Sequence, residues 1–422
     1  MKTNGRGAIL KEIKIAITIP TGRPKVKKVV KLFLENAKKY GYSLSQFSVY
    51  LSIDTEFKNS KLKDFKLDED LEKSLNKVEY ITSEKRNKLC ERLTNDYNIN
   101  SDLILKLFGG NGYSPQRNSA LLFSLMDKND VAICIDDDEF PILPLKKSDS
   151  ELEWKELDFF SPHILALTSG TDITRGPYLG YQSPIPSDFE KDVPEHIRKK
   201  LGEALAYGSE IITSHSFLNL LNKIKYLSKE ELSNPPKPFT VKFGKNGKTI
   251  LTGNMGINLN SVRKGKIPIF FTPPNARGED AIFGLQLKNV KVKEVNSYIF
   301  HDPFDMYQEI FEGKFPDSLS PVPVTQETTK RFANALIGWL KYAPILIAMT
   351  SKDKKSLEKR ADEMLKKIKE PTQELARILS CVELLECQDI LKKYYIDFEE
   401  HFDNLNNSQE IWQNKIIPSL LV

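Results

Sequence analysis

The chain has 422 residues, of which 40% are hydrophobic and 28% charged, with 62 Lys and Arg set against 57 Asp and Glu. That length suggests two domains or three, and the composition excludes a disordered chain, a collagen and a coiled-coil rod. A formal charge of +5 over the whole chain is too weak a bias for a nucleic-acid binder, so no nucleic-acid partner is expected.

Strand-like and helix-like stretches alternate from the start. Ile13 to Ile19 is a β-branched run that stops at the Pro20-Thr21-Gly22-Arg23-Pro24 loop. Val26 to Tyr40 has helical periodicity and ends at Gly41. Phe47 to Ile53 predicts a second strand, closed by Asp54, and Val78 to Thr82 a short third one. Ser83 to Thr94 predicts a helix, Ile104 to Phe108 is another apolar stretch, and a further helix runs from about Pro115 to Met126. Val131 to Ile135 is the most apolar strand, and it runs straight into Asp136-Asp137-Asp138-Glu139. Such alternation predicts an α/β fold with a mostly parallel, Rossmann-like sheet covered by helices on both faces. Ligands of open sheets bind beyond the carboxyl ends of the strands, which makes Thr21, Arg23, Asp54 and the acidic cluster the candidates.

The middle of the chain is less regular. Ile164 to Thr174 reads as a strand, Pro184 to Pro194 as a loop, residues 195–231 as helical, and Phe239 to Leu251 as a hairpin turning at Gly244 to Gly247. Pro316 to Val324 reads as a linker. The segments beyond it, including Ser356–Lys369, Thr372–Cys387 and Ser408–Ile417, have helical period. The expected organisation is an α/β domain over 1–315, a linker over 316–327 and an α-helical C-terminal region over 328–422.

Four cysteines, Cys90, Cys134, Cys381 and Cys387, form no CxxC pair, so a reducing cytoplasmic compartment is the expectation. Met1 to Glu12 carries no apolar core of a signal peptide. Phe332 to Thr350 is the most membrane-like stretch, but Arg331, Lys341 and Pro344 flank or interrupt it. A soluble chain is expected, with peripheral association at the inner membrane face as the alternative.

Three features carry chemistry. Three adjacent carboxylates at the end of a buried strand repel one another and are costly to ionise, unless a hard divalent cation such as Mg2+ or Mn2+ relieves them. The bland alternative is a solvated acidic turn. Gly278-Glu279-Asp280 opens a helix-like stretch, where acids are also favoured by the helix dipole alone. His301-Asp302 follows a strand-like run, a position where a lone His is more often structural.

Together these features, taken in order with Ile19 to Pro24, Asp54, Gln116-Arg117-Asn118 and Gly253-Asn254-Met255-Gly256, resemble a GT-A glycosyltransferase of the large inverting family 2 type. The resemblance covers residues 13 to 304 and departs from the family in its longer spacing between Asp138 and Asp280, which points to an insertion within about 181–245. It implies a nucleotide-diphosphate sugar donor, with UDP the expected nucleotide, held by Pro20, Thr21, Arg23, Asp54, Arg117, Asp136 and Asp137. Asp138 and His301 would hold Mn2+ or Mg2+, and Asn254 and Met255 would contact the acceptor. Asp280 would be the general base of an inverting transfer, with Glu279 orienting the acceptor. A carbohydrate, glycolipid or polypeptide acceptor is compatible with this reading. A retaining transferase, a sugar nucleotidyltransferase and a non-catalytic carbohydrate-binding protein are the alternatives.

Overall fold

The computed structural model describes residues 12–148, 151–181, 185–186, 188–209 and 224–420. Strand β1 (Ile15–Thr21) and strand β2 (Phe47–Ile53) are buried at every position, as expected of strands covered on both faces. Between them, helix α1 (Val26–Lys39) buries Val26, Val29, Val30, Phe33, Leu34 and Ala37, one face at helical spacing. Strand β3 (Lys77–Ile81), helix α2 (Ser83–Tyr97), helix α3 (Tyr113–Met126) and strand β4 (Val131–Cys134) follow as the sequence predicts.

Later elements complete two sheets: β5 (Glu139–Phe140), α4 (Phe160–Thr168), β6 (Ile173–Arg175), β7 (Tyr178–Tyr181), α5 (Glu195–Leu205), β8 (Ile224–Lys225) and β9 (Phe239–Thr240). They are followed by β10 (Met255–Asn258), α6 (Glu279–Gln286), β11 (Val292–Glu294) and β12 (Ile299–His301). The main sheet has eight strands in the order β9-β11-β6-β10-β4-β1-β2-β3, and a four-stranded sheet runs β8-β7-β12-β5. The pairs β4–β1, β1–β2 and β2–β3 are parallel, whereas β10 runs antiparallel to both its neighbours. The expected fold class, a mostly parallel α/β sheet with a helical C-terminal region, is the one the chain adopts.

Several expectations for the middle of the chain are corrected. Ile164 to Thr174 is not one strand: α4 buries Phe160, His163, Ile164 and Leu167 on one face, Gly170 follows at φ +86°, and only Ile173–Arg175 pairs. A short apolar run fits either period, and packing against the sheet selected the helix. The helix expected over 195–231 stops at Leu205, where Gly208 abuts Ala343 so closely that a Cβ would collide, and the chain is extended again at Ile224. Residues 210–223 lie outside the described ones. The hairpin over 239–251 keeps its turn, with Gly244 and Gly247 bonded to each other, but Phe239–Thr240 pairs with β11 instead of its own return arm. Ile104 to Phe108 is helical, continuing from Ser101.

The C-terminal helices are α7 (Gln326–Thr350), α8 (Lys354–Ile378), α9 (Cys387–Ile396) and α10 (Phe398–Ile411). Helix α7 starts inside the expected linker, capped by Thr325, whose side chain accepts from the amide of Thr328. It runs through Pro344 and is long and apolar enough to cross a membrane by length and composition, but 67% of its most apolar window is buried within the protein.

Two cores explain why the region is bound to the rest. Phe332, Leu336, Leu340 and Ala343 of α7 pack with Phe189, Val193, Ile197 and Leu201, so the expected insertion and the C-terminal region share one core. Tyr342, Ile345, Leu405, Trp412 and Ile416 instead join the core beneath the main sheet. Trp412 is fully buried and donates from Nε1 to the carbonyl of Ile267 at 3.0 Å. Replacing a buried Trp by Ala typically costs about 3–5 kcal/mol. Trp412→Ala should therefore lose about that much in urea unfolding, and an unchanged midpoint would show that the C-terminal segment does not support the sheet.

Candidate active site

Strand register assembles the acidic cluster. Parallel pairing sets Thr18 of β1 opposite Cys134 of β4, so Pro20 and Thr21 lie level with Asp136 and Asp137. On the other side Thr21 is level with Ile53, which brings Asp54 beside the Gly22 loop. His301 pairs opposite Glu139 across β12 and β5, and the amide of Asp302 donates to the carbonyl of Asp138 at 2.9 Å. Register alone thus converges four separate segments on one strand end.

Charge compensation then fixes the side chains. Thr21 Oγ1 donates to Asp137 Oδ2 at 2.6 Å, and Arg23 Nη1 reaches Asp137 Oδ1 at 2.9 Å and Asp138 Oδ2 at 3.0 Å. Burial pushes the Asp137 carboxyl up, and the neighbouring Asp138 adds to it against the pull of Arg23. Asp138 goes the other way: burial would raise it, but His301, Arg23 and Lys25 outweigh that and hold it down at about 2. Arg117, with a side chain only 4% exposed, grips Asp136 from Nη2 at 2.8 and 3.1 Å and lies 3.6 Å from Glu279 through Nε. Burial opposes its charge, yet Asp136 and Glu279 outweigh the penalty. Glu139 is fully buried, accepts the amide of Asp136 at 2.9 Å, and is pushed well above the usual carboxylate range by burial and the charge of Asp136.

These groups line a cavity of about 430 Å³, within the usual range for small-molecule sites. Its far wall is the start of α6. Gly278 enters that helix at φ +88° against the Tyr342 ring, where a Cβ would overlap the aromatic carbons. Asp280 turns into the cavity with Oδ1 unpartnered. Burial, then the charge of Glu279, push its carboxyl up to about 8 despite Arg117.

Two donors in the cavity suit a cation. His301 Nδ1 donates to the carbonyl of Tyr181 at 2.6 Å, so in the neutral ring Nε2 carries the lone pair, and it faces Asp138 Oδ1 at 3.7 Å. An imidazole nitrogen and an ionised carboxylate at that separation fit a divalent ion whose remaining ligands come from a phosphate-bearing substrate. Among the described residues there is no cluster of three or more His, Cys, Asp and Glu of the kind that holds a metal unaided.

Eleven of the expected residues therefore share one cavity: Pro20, Thr21, Arg23, Asp54, Arg117, Asp136, Asp137, Asp138, Glu279, Asp280 and His301. Asn254 and Met255 do not line it, which corrects their expected acceptor contact. Asn254 is fully buried: Oδ1 accepts from His163 Nε2 at 3.0 Å and Nδ2 donates to the carbonyl of Ser297 at 2.8 Å. Burial lowers that His163 to about 4, so the pair is a neutral bracket between helix and sheet. Met255 faces the core, and the preceding Thr252 and Gly253 reach the cavity instead. Sequence reasoning missed Tyr113, Tyr178, Arg277, Arg331, Trp339 and Tyr342. The last three belong to α7, and only packing brings that helix to the site.

No known family profile matches the chain, and no curated protein matches its sequence. A crystal structure of S. aureus TarS is similar at 12% identity and a TM-score of 0.38, over 92% of this chain and 55% of that one. The chain thus spans about half the length of that TarS chain. TarS 1–349 in complex with UDP-GlcNAc is similar at 10% identity and a TM-score of 0.38, over 92% of each chain. Glucosyl-3-phosphoglycerate synthase from Mycobacterium tuberculosis, in complex with Mn2+ and UDP-glucose, is similar at 11% identity and a TM-score of 0.33, over 74% of this chain and 80% of that one. At such identities and TM-scores the likeness assigns no residue a role, and the chemistry is read from the geometry.

Asp280 gives a stability test. A carboxyl raised in the fold favours its neutral form, so its contribution is intact below the ordinary carboxylate range and is lost as pH rises towards 8. Between pH 4 and 8 the wild-type Tm should therefore fall further than that of Asp280→Asn. Parallel Tm curves in calorimetry would mean that Asp280 is not held neutral.

Proposed function

We propose that this chain is a glycosyltransferase that moves a sugar from a nucleotide-diphosphate sugar, with UDP as the nucleotide, to an acceptor hydroxyl with inversion. The observation that carries the reading is a single cavity with a cation-ready pair, Asp138 and His301, on one wall and, on another, the Asp280 carboxylate, whose Oδ1 has no hydrogen-bond partner. A hydrolase of two carboxylates would not need the first wall, and a purely structural acidic turn would not be built around Arg23 and Arg117.

Donor binding falls to the strand ends. Asp54, half-exposed at the end of β2, is free to accept an N–H of the base through the oxygen that does not bond the amide of Glu56. Asp136, oriented by Arg117, faces the ribose, and the Asp137–Arg23–Thr21 group holds the loop against the diphosphate. Mn2+ or Mg2+ held by Asp138 and His301 would supply Lewis-acid stabilisation of the departing diphosphate.

At the anomeric carbon a C–O bond to the acceptor forms while the C–O bond to the nucleoside diphosphate breaks. The acceptor hydroxyl is a weak nucleophile until its proton leaves, and Asp280 takes that proton onto its carboxylate. A base whose carboxyl sits near 8 is matched to a proton taken at neutral pH, and such a base contributes about 10²–10⁴-fold. Glu279, anchored by Arg117, keeps the first turn of α6 in place beside it.

Titration with UDP, with and without Mn2+, tests the donor assignment: Mn2+ should tighten UDP, and Asp138→Ala should abolish that increment. Equal affinity in excess EDTA would remove the metal role. For the base, kcat/KM should rise as pH increases through about 8, because only the ionised carboxylate accepts a proton. Asp280→Asn should bind UDP normally, lose about 10²–10⁴-fold in transfer and lose that rising limb. A product with retained anomeric configuration would move the chain to the retaining alternative.

A further inference from the structure

Four arginines line the cavity, and they divide into two kinds. Arg23 and Arg117 are bound to carboxylates. Arg277 and Arg331 make no ion pair among the described residues and have only aromatic partners. The Arg277 guanidinium lies over the Tyr113 ring at 5.9 Å, and its stem packs against Gly338 of α7, where a Cβ would meet its Cγ at 2.6 Å. Arg331, one helix turn and more into α7, lies over the Phe304 ring at 5.3 Å. Burial first, then Arg23 and Arg277, pull the Arg331 guanidinium below its ordinary value, with Asp138 opposing them. Arg277 and Arg331 thus lie near Arg23 and each other, and neither has an ion pair of its own among the described residues. No hydrogen bond from either guanidinium is found among the described residues, and the planar donor fork of an arginine matches the two oxygens of a phosphate.

We propose that Arg277 and Arg331 form a phosphate clamp, which makes helix α7 of the C-terminal region part of the substrate site. The clamp rests on the transferase reading for the identity of the substrate, while its anion chemistry stands on the arginines. Two substrates offer that chemistry: the diphosphate of the donor and a phosphate carried by the acceptor.

The full-length protein with Arg277→Gln, Arg331→Gln or both, and the lysine versions, tests this by calorimetric titration in Mn2+ with uridine, UDP, pyrophosphate, and inorganic phosphate added to the UDP-saturated protein. Wild type should bind pyrophosphate, and the Gln variants should lose about 10- to 100-fold, the usual effect of removing a charge-assisted bond. Lysine should restore only part, because it lacks the fork. Uridine affinity should not change, which also shows that the variants are folded. If the donor is the source, UDP weakens with pyrophosphate and the UDP-saturated protein takes up no further phosphate. If the acceptor is the source, UDP is unaffected and phosphate uptake by the UDP-loaded protein disappears in the variants. Wild type and double variant binding all of these anions alike, or wild type binding none, would overturn the clamp. Failure of uridine and UDP to bind at all, with arginine-dependent pyrophosphate binding intact, would overturn the nucleotide assignment and leave the clamp standing.

Discussion

Seven carboxylates face one cavity, and the electrostatic cost of holding them there organises the rest of the site. Two arginines relieve it, each by spanning two acids: Arg23 joins Asp137 to Asp138, and Arg117 joins Asp136 to Glu279. Arg117 matters most structurally, since it ties the strand-end cluster to the first turn of α6 from opposite sides of the cavity. Losing one partner of such a buried group leaves the other charge uncompensated, which typically costs about 3–5 kcal/mol. The acids that remain unpaired are the informative ones. Asp280 keeps an oxygen with no partner among the described residues, and it does so in the wall of the cavity.

The C-terminal helices are not an appendage. Helix α7 shares one core with α5 and the segment around Phe189, and another face of it joins the core under the main sheet. The same helix brings Trp339 and Tyr342 to the cavity wall, and Tyr342 fills the space that Gly278 leaves open. Packing that stabilises the fold therefore also closes the site. This explains how a helix with the length and apolarity of a membrane span is spent inside the protein: its apolar faces cover two different cores.

Glycine at two positions reflects close approach. At Gly253 a Cβ would collide with Glu139 and Tyr178, which both line the cavity, and at Gly278 the left-handed backbone and the Tyr342 ring both exclude a side chain. Each keeps a wall of the cavity thin enough for the carboxylates to converge. The neutral His163–Asn254 bracket performs the complementary task, holding β10 and α4 together with hydrogen bonds that carry no charge into the core.

The sequence by itself determined the strands whose residues are buried on both faces, because a β-branched apolar run such as Ile15 to Thr21 or Val131 to Cys134 has one stable placement. It also determined the acids at their ends, since a polar cluster directly after a buried strand lies at the sheet edge whatever the rest of the fold does. Elements without that constraint were decided by packing. Phe160 to Thr168 fits two periods and became a helix against the sheet, and Asn254 and Met255, polar and apolar neighbours in a glycine-flanked motif, were both drawn into the interior. Arg277 directly precedes the Gly278-Glu279-Asp280 motif, but Arg331 lies 54 residues further on with no local signal that links the two. Only the tertiary structure sets them over one cavity, because the position of α7 depends on two cores assembled from segments far apart in the chain.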